Sequence, residues 1–144
     1  MVDVSGKELT ERIASARVRV KLNAEAFEAV SENKIKKGDV LAVANIAGIN
    51  AAKKTSELIP LTHQINLRHV NIEFVLDRES SEIEITSEVK ANDKTGVEME
   101  ALTAASVSAL TIYDMCKSID RKIEIRDLRV IFKAGGKSGK FENE

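Results

Sequence analysis

The sequence is poor in the residues that build covalent cross-links, metal–thiolate clusters and stacking surfaces. It contains one cysteine, Cys116, one proline, Pro60, and no tryptophan, and aromatic residues make up 3% of its 144 residues. A single cysteine excludes an intramolecular disulfide and a thiolate zinc cluster. The scarcity of aromatic side chains disfavours base-stacking platforms and aromatic cages.

An excess of charge of one sign is also missing, because 22 basic and 23 acidic residues leave a formal net charge of −1. This balance argues against a nucleic-acid partner, since nucleic-acid-binding proteins usually carry a strongly basic face. No segment approaches the ~20 consecutive apolar residues that span a membrane, and the first residues contain no apolar leader. We therefore expect no membrane partner and a cytoplasmic protein.

Apolar residues are plentiful, and their fraction of 43% excludes a disordered chain. A length of 144 residues is typical of one domain. We therefore expect a single domain over residues 1–144, with a core built from Val, Ile, Leu and Ala.

Four segments show the alternation of apolar and polar residues that is typical of half-buried strands. They cover residues 18–22, 70–76, 83–89 and 123–132. The second and third are joined by a polar turn, which predicts an antiparallel return. In the fourth, the alternation changes parity between Ile125 and Leu128, which predicts a bulge or a bend there.

Helices are expected between these strands. A short helix covers 24–30, and a second begins at Asp39, a natural N-cap, and must end before Pro60. A long helix, crowded with small residues, runs from Thr95 or Gly96 to about Ile119. The order of the main elements is βαββαβ, which predicts a ferredoxin-like α+β fold with two main helices on one face of an antiparallel sheet.

The other face of this sheet would be left open. Strands rich in Val and Ile are unfavourable against solvent, so we expect the chain to form an oligomer.

Two groups of candidate site residues lie at helix starts. Lys37 precedes the Asp39 N-cap, where free backbone amides favour anions, although a solvated lysine at an ordinary helix start is the alternative. Thr95 and Glu98 have capping-box spacing, which would explain Glu98 by structure alone. Glu100 has only the weaker explanation that the helix dipole favours an acid there.

Asp114 is the residue that structure explains least. It lies near the C-terminal end of the long helix, where the dipole disfavours an acid, and Lys117 follows three residues later. An adjacent carboxylate and ammonium form a plausible acid/base couple if they are partly buried. His63, in the loop after Pro60, could shuttle a proton or donate to a phosphate or carbonyl, and a surface-loop histidine is the alternative.

The C-terminal segment 133–140 combines three lysines, Lys133, Lys137 and Lys140, with three glycines. Such a flexible cationic loop can approach phosphate groups closely, and a disordered basic tail is the alternative. It is not a Walker A motif, because Ile131 stands where that motif requires glycine.

Glu100 and Asp114 are 14 residues apart, which places them about 40° apart in azimuth but ~21 Å apart along one helix. This separation is too long for one small substrate to reach both. If both serve one site, opposite helix ends from two subunits must meet, which again favours an oligomer.

Several segments match one known family in combination. They read Lys-Gly-Asp-Val at 37–40, Leu-Ile-Pro-Leu-Thr-His at 58–63, Lys-Thr-Gly-Val-Glu-Met-Glu at 94–100, Ala-Leu-Thr-Ile-Tyr-Asp-Met-Cys-Lys at 109–117 and Lys-Ala-Gly-Gly-Lys-Ser-Gly at 133–139. On these segments the chain resembles the cyclic pyranopterin monophosphate synthase family of molybdenum cofactor biosynthesis. The resemblance runs from Met1 nearly to the C-terminus.

The resemblance implies a ferredoxin-like homohexamer, a trimer of dimers with active sites at the dimer interface. It implies a lyase that converts a cyclic dihydroguanosine triphosphate into the pyranopterin with a cyclic phosphate and releases diphosphate. No metal site and no redox cofactor are expected, although Mg²⁺ can accompany the polyphosphate.

The resemblance also implies the site. Asp114 is the expected catalytic residue, with Lys117 as its acid/base partner. The expected substrate-binding residues are Leu61, Thr62, His63, Met99, Glu100, Lys37, Glu98, Lys133 and Lys137.

The chain departs from the family pattern at one loop, where Thr62 and Gln64 stand in place of the usual Cys and Pro. A cysteine-dependent contact cannot operate there, whereas His63 is retained. Two alternatives stay open: a non-catalytic oligomeric module that binds nucleotides or anions, and a purely structural oligomer. The binding module gives no reason for the Asp114–Lys117 pair at a disfavoured helix end, and a structural oligomer would tolerate neutralising Lys37, Lys133 and Asp114 together.

Overall fold

The computed structural model describes all 144 residues, which fold around one sheet. The elements in chain order are β1 (Thr10–Lys21), α1 (Ala24–Ser31), α2 (Val40–Lys53), α3 (Thr55–Leu58), β2 (Leu67–Asp77), β3 (Glu82–Asp93), α4 (Glu98–Cys116), β4 (Glu124–Ala134) and β5 (Phe141–Glu142). No helix combines the length and apolar character needed to cross a membrane.

The strands follow the order β2-β3-β1-β4-β5, and every neighbouring pair is antiparallel. The first four strands therefore adopt the order that the βαββαβ pattern predicts, and the ferredoxin-like α+β fold is confirmed. The two-residue β5, which the sequence did not predict, extends the sheet beyond β4.

The core lies between the sheet and the two long helices. Alternate residues of β1 and β3 are fully buried on this face, among them Val18, Val20, Ile83 and Ile85. Helices α2 and α4 approach closely because small residues face each other, and the Ser108 hydroxyl donates to the Ala44 carbonyl over 2.9 Å. This close contact holds the first half of α2 against the middle of α4.

The opposite face of the sheet is mainly charged rather than apolar. Glu84 lies 3.4 Å from Arg17 and 3.1 Å from Arg19, and Glu88 and Lys90 continue the same face along β3. The expectation that Val and Ile side chains of the open face would be exposed to solvent was therefore wrong, and this face gives no reason for an oligomer. The apolar residues of these strands alternate onto the helix-covered face.

Helix α4 is shorter at both ends than predicted, because it starts at Glu98 and ends at Cys116. The expected capping box is absent, since Val97 is the N-cap residue and no side chain caps this end. The Glu98 carboxylate packs against Gly96 and faces Lys133, 3.5 Å away. Glu98 is therefore not explained by helix capping.

Strand β4 contains the predicted irregularity. Its register against β1 shifts between the partners of Arg17 and Arg19, where Asp127 adopts a left-handed φ of 61°. A second shift, which the sequence did not predict, occurs between the partners of Ser15 and Ala16. Because a one-residue shift reverses the face of every later side chain, Lys133 comes opposite the buried Ala14 on the helix-covered face.

Candidate active site

One cluster of predicted residues lies at the C-terminal end of α4. The Lys117 Nζ is 2.9 Å from one carboxylate oxygen of Asp114, and the Lys37 Nζ is 2.9 Å from the other. Lys37 also donates to the Asp114 backbone carbonyl over 3.1 Å. The structure therefore brings together three predicted residues, one of them 77 positions away from Asp114 in sequence.

The two lysines set the electrostatics of this cluster. The hydrogen bond from Lys117, followed by the one from Lys37, lowers the pKa of Asp114 to about 2. In return, the hydrogen bond to Asp114 raises the pKa of Lys117 above its usual value. In the single chain the Asp114 side chain is 56% exposed, so ion pairing, and not the burial considered from the sequence, perturbs this couple.

The segment before α2 aims Lys37 at this carboxylate. Gly38 has a φ of 123°, a left-handed conformation that only glycine adopts readily, and Asp39 then caps α2 by accepting from the Ala42 amide over 3.1 Å. Lys37 thus directly precedes the Gly38 turn and the Asp39 N-cap, which fix the backbone on its C-terminal side. The predicted N-cap is confirmed, and the lysine beside it is paired with Asp114.

A second group of predicted residues lies around a pocket of about 330 Å³ at the other end of α4. Six of the predicted residues line it: Leu61, Thr62, His63, Glu98, Met99 and Glu100. The loop after α3 and the first turn of α4 therefore form two walls of one cavity. Val2, Val4 and Lys7 add a third wall that the sequence interpretation did not include.

Glu100 is the buried acid of this pocket. It is only 3% exposed, and its Oε2 has no hydrogen-bond partner. Burial raises the pKa of Glu100 to about 7, against the effect of its own backbone N–H, and the charges of Glu98 and Asp93 act in the same direction as burial. A carboxyl group with this pKa can exist in either protonation state at neutral pH.

His63 holds the N-terminal segment at the pocket. Its Nε2 lies 2.7 Å from the Val2 carbonyl oxygen, and because a carbonyl only accepts, Nε2 carries the proton in this contact. On the other side, Lys94 donates to the Ser5 carbonyl over 3.2 Å. The loop histidine therefore has a specific partner and is not a free surface residue.

Lys133 joins the pocket through Glu98, whose Oε1 lies 3.5 Å from the Lys133 Nζ. Both side chains are about one-third exposed. The second register shift of β4 makes this pair, because it turns Lys133 toward the helix-covered face. The structure thus places Lys133 at the α4 N-terminus, away from Asp114.

Lys137 lies in a neighbouring cavity of about 520 Å³. Its lining residues are Gly6, Lys7, Glu8, Thr10, Arg12, Gly136, Lys137 and Ser138. Lys7 lines both cavities, which are therefore adjacent. Both Arg12 and Lys7 were missed from the sequence, because only the pairing of β1 with β4 brings them to the C-terminal lysines.

Arg12 and Gly135 lie close together beside this second cavity. Arg12 donates to the carbonyls of Asp93 and Lys94, at 3.3 and 3.1 Å, which fixes its guanidinium. Gly135 has a φ of 107°, and a side chain there would collide with the Glu11 carbonyl. The cavity is thus bordered by a fixed cation and a tight glycine turn.

The two clusters stay apart within one chain. Asp114 with its lysines lies at the C-terminal end of α4, and Glu100 with its pocket lies 14 residues earlier, ~21 Å along the helix axis. No group of three or more His, Cys, Asp or Glu side chains is arranged to hold a metal ion.

Comparison with known proteins covers nearly the whole chain. The model of the MoaC family matches residues 1–136. A protein of Clostridium botulinum is 54% identical over 144 residues, which are 100% of this chain and 91% of that protein. A protein of Heliobacterium modesticaldum is 56% identical over 144 residues with the same coverage, and one of Syntrophomonas wolfei is 56% identical over 139 residues, 96% of this chain and 88% of that protein.

These three relatives are all named cyclic pyranopterin monophosphate synthase. Each alignment spans nearly all of the chain and therefore covers the positions of both clusters. A family-model match over residues 1–136 and relatives at this level of identity lead to one conclusion. The chain belongs to the MoaC family, and the resemblance that its sequence motifs indicated is confirmed.

Proposed function

We propose that the chain is a cyclic pyranopterin monophosphate synthase. It converts (8S)-3′,8-cyclo-7,8-dihydroguanosine 5′-triphosphate into cyclic pyranopterin monophosphate and diphosphate, a lyase reaction of molybdenum cofactor biosynthesis. The observation that carries this proposal is the 52–56% identity to synthases over nearly the whole chain. The geometry of the two clusters supports it.

The second cavity is the proposed binding site of the triphosphate. Lys7, Arg12 and Lys137 line it, and two of them are cations that sequence reasoning did not anticipate. Phosphate oxygens favour such sites because guanidinium and ammonium groups form charge-assisted hydrogen bonds to them. Lys133, at the neighbouring α4 N-terminus, adds a further cation near the departing diphosphate.

The first pocket is the proposed site of the guanine-derived ring. Its walls offer the acceptor oxygens of Glu100 and Glu98, the Thr62 hydroxyl and the apolar side chains of Leu61 and Met99. The amino and ring N–H groups of the ligand are donors, so buried carboxyl oxygens are their natural partners. The pocket contains no Phe, Tyr or Trp, so we propose that hydrogen bonds hold the ring.

Asp114, Lys37 and Lys117 are the proposed proton-transfer group. Opening and closing the guanine-derived rings requires protons to leave and arrive at several atoms of the ligand. The cyclic phosphate forms when a ligand hydroxyl oxygen attacks the α-phosphorus, loses its proton and displaces diphosphate. An ionised Asp114 between two ammonium groups can orient both lysines, and its hydrogen bond with Lys117 stabilises the charged form of Lys117.

We further propose that each site combines Asp114 of one chain with Glu100 of another, in a trimer of dimers. The ~21 Å between the helix ends supports this arrangement, since one small ligand cannot span it. Helices α2 and α4 also expose the apolar side chains of Val43, Ile46 and Leu110. Apolar helix surfaces of this kind fit a second copy of the chain.

We propose no resident metal and no redox cofactor. Any Mg²⁺ in the site arrives bound to the triphosphate of the substrate. The net conversion loses diphosphate and needs no oxidant or reductant. A cytoplasmic location fits the free, buried Cys116, since structural disulfides belong to oxidising compartments.

Turnover of the cyclic triphosphate tests this function directly. The purified protein is incubated with the cyclic triphosphate, and diphosphate and the pterin product are measured over time. We expect the two to appear in equal amounts. Tight binding of the triphosphate without diphosphate release would contradict the synthase and support the non-catalytic binding module.

A further inference from the structure

We propose that Lys94 is a positioning residue, whose ammonium group holds the N-terminal segment, residues 2–8, in place between the first pocket and the second cavity. Lys94 acts through the carbonyl of Ser5 and does not itself contact the ligand. The inference deepens the proposed function, on which the assignment of a ring site and a triphosphate site to the two cavities rests.

The N-terminal segment forms a wall of both cavities. Three of its residues line the first pocket, three line the second cavity, and Lys7 belongs to both sets. A ligand that places its ring in the first pocket and its phosphates in the second cavity must therefore pass this segment. The position of the segment determines how the two parts of the site lie relative to each other.

The N-terminal segment is attached to the rest of the chain at few points. No backbone–backbone hydrogen bond joins residues 2–8 to the rest of the chain, and only Val4 among them is half-buried. Two side chains supply the hydrogen bonds that reach it: His63 contacts the Val2 carbonyl at 2.7 Å and Lys94 contacts the Ser5 carbonyl at 3.2 Å. A segment with so few buried contacts opens at a low cost in free energy. Each of the two attachments therefore matters for its position.

Hydrogen bonds inside the segment make it move as one unit. The amide and the hydroxyl of Ser5 both donate to the Asp3 carboxylate, over 2.9 and 2.6 Å. The Lys7 amide donates to the Val4 carbonyl over 3.0 Å. These two turns overlap at Ser5, so a contact that fixes the Ser5 carbonyl also fixes the backbone of Lys7, the residue shared by both cavities.

The backbone of Lys94 is a fixed anchor for its side chain. Its amide donates to the Asp93 carboxylate over 2.7 Å, and its carbonyl accepts from the Arg12 guanidinium over 3.1 Å. The ammonium group has one hydrogen-bond partner, the Ser5 carbonyl, and the residue lines neither cavity. Lys94 therefore links the wall of both cavities to Arg12, a cation of the second one.

Loss of the ammonium group should weaken binding more than it slows the chemistry. The segment would keep its attachments at Val2 and at the start of β1 but lose the one between them. Ordering the segment would then oppose ligand binding, because immobilising a loop costs conformational entropy. The proposed proton-transfer group at Asp114 contains no residue of this segment, so turnover at saturating substrate should be nearly preserved.

Limited proteolysis of the ligand-free protein tests the attachment directly. Lys94→Met keeps the apolar stem and removes the ammonium group. We expect proteinase K to cleave within residues 2–8 about fivefold or more faster in this variant than in the wild type, with the cleavage sites located by intact mass. Equal rates would overturn the proposal.

Lys90→Met is the matched control for the lost charge. Lys90 also belongs to this part of the chain, at the end of β3, but it pairs with Glu88 on the open face of the sheet, 3.3 Å away. Its removal leaves the N-terminal segment untouched, so the cleavage rate should stay within about twofold of the wild-type rate.

Steady-state kinetics separate positioning from a general loss of structure. In Lys94→Met, KM for the cyclic triphosphate should rise about fivefold or more while kcat stays within about twofold, because the lost contact orders a wall of the binding site. Partial unfolding would instead lower kcat at unchanged KM. A raised KM without faster cleavage of the ligand-free protein would make Lys94 a ligand contact and would overturn the proposal.

Lys94→Arg keeps the charge and the N–H donors of this side chain. Both its cleavage rate and its KM should therefore lie within about twofold of the wild-type values. Cleavage as fast as in Lys94→Met would contradict the assignment to the hydrogen bond with Ser5.

Binding of guanosine triphosphate provides a readout that needs no turnover and no variant. Saturating guanosine triphosphate, confirmed by calorimetry, should slow cleavage of the N-terminal segment in the wild type about fivefold or more, since this segment lines both cavities. Unchanged cleavage would contradict the proposal. Pterin formation is measured on the same preparation. Pterin without faster cleavage of Lys94→Met refutes only this inference, and faster cleavage of Lys94→Met without pterin from the wild type refutes only the proposed function.

Discussion

The Lys37 ammonium donates to both the side chain and the backbone carbonyl of Asp114, at 2.9 and 3.1 Å. This contact explains an acid in the last turn of α4, where the helix dipole favours cations. The lysine neutralises the carboxylate and at the same time satisfies a carbonyl that the helix end leaves without a partner. The pairing is local in space and distant in sequence.

Asp114→Asn should reduce turnover by about 100-fold or more, the usual scale for the loss of an acid/base group. The amide keeps the shape of the carboxylate but loses the charge that holds Lys37 and Lys117. The measurement is the rate of diphosphate release. Because asparagine has nearly the same shape as aspartate, the fold and the assembly should be preserved.

Asp127→Asn is the matched control for this substitution. Asp127 is also an exposed acid that faces an arginine, Arg19, 3.6 Å away, but it lies on the open face of the sheet. Asparagine tolerates the left-handed backbone at this position, so activity and stability should both be preserved. Retention of most activity by Asp114→Asn would remove Asp114 from the proposed mechanism.

Mixed oligomers test whether the two clusters of one site come from different chains. Asp114→Asn changes the cluster at the C-terminal end of α4, and Lys133→Ala changes the β4 residue that faces Glu98 at the N-terminal end. Each variant alone should be nearly inactive. When the two chains are co-expressed and mixed oligomers are isolated through two different tags, about a quarter of the sites should combine wild-type residues from both chains. Activity should therefore recover to about a quarter of the wild-type value.

Asp114→Asn mixed with Lys117→Ala provides the control. Both changes affect the same cluster, so every mixed site that takes this cluster from one chain contains one of the two defects. No recovery is expected from this pair. Recovery from this pair, or its absence from the first, would contradict a site shared between chains.

Glu100 makes stability fall as the pH rises. Its folded-state pKa of about 7 lies above the usual value of 4.5, so the folded protein binds more protons than the unfolded chain between these two pH values. The stability contribution is present below pH 4.5 and is lost as the pH rises through 7, by up to about 3 kcal/mol. Glu100→Gln should remove this dependence.

Urea denaturation at pH 5 and pH 8, at one protein concentration, measures the effect. The difference in unfolding free energy between Glu100→Gln and the wild type should favour the variant more at pH 8 than at pH 5. A difference that does not change with pH would show that burying the ionised form of Glu100 costs no free energy. The comparison is made without ligand, since binding shifts apparent stability.

Gly48→Ala should destabilise the protein by about 1–3 kcal/mol, the usual cost of overpacking a well-packed contact. A Cβ at this position would collide with Ile72 and Ser108 and would lie 3.0 Å from the Ala104 carbonyl. Separating α2 from α4 also moves Lys37 away from Asp114, so activity should fall with stability. Denaturation midpoints check the stability.

Gly6→Ala is the control for this substitution, since nothing lies within 4 Å of a Cβ at Gly6. Its unfolding free energy should match that of the wild type. A Gly48→Ala protein of unchanged stability would show that the two helices can separate without cost.

Local patterns in the sequence predicted most of the fold. The alternation of Val18 and Val20 with arginines and the Asp39 N-cap depend on neighbouring residues, and both are confirmed. The bulge near Asp127 is also confirmed, because the change in parity is visible within a few residues. The predicted ends of α4 were less accurate. At its start, Glu98 pairs with Lys133, a residue of a distant strand, and does not cap the helix.

Residues that acquire their role through long-range contacts were partly missed. Lys7 and Arg12 resemble ordinary surface cations in the sequence, and they become cavity residues because β1 pairs with β4 next to the Gly135 turn. The second register shift of β4 gives no clear signal in the alternation, although it determines the side of the sheet on which Lys133 lies. Such shifts depend on which residues of the partner strand are opposite.

The sequence by itself determined the order of the elements, the places of Glu100 and Asp114 at opposite ends of one helix and the family to which the motifs belong. Periodicity and helix length are properties of neighbouring residues, so they are readable without coordinates. Only the tertiary structure decided that ion pairing governs Asp114 while burial governs Glu100. A pKa depends on the charges and the solvent around a group, and these are assembled only when distant segments pack together.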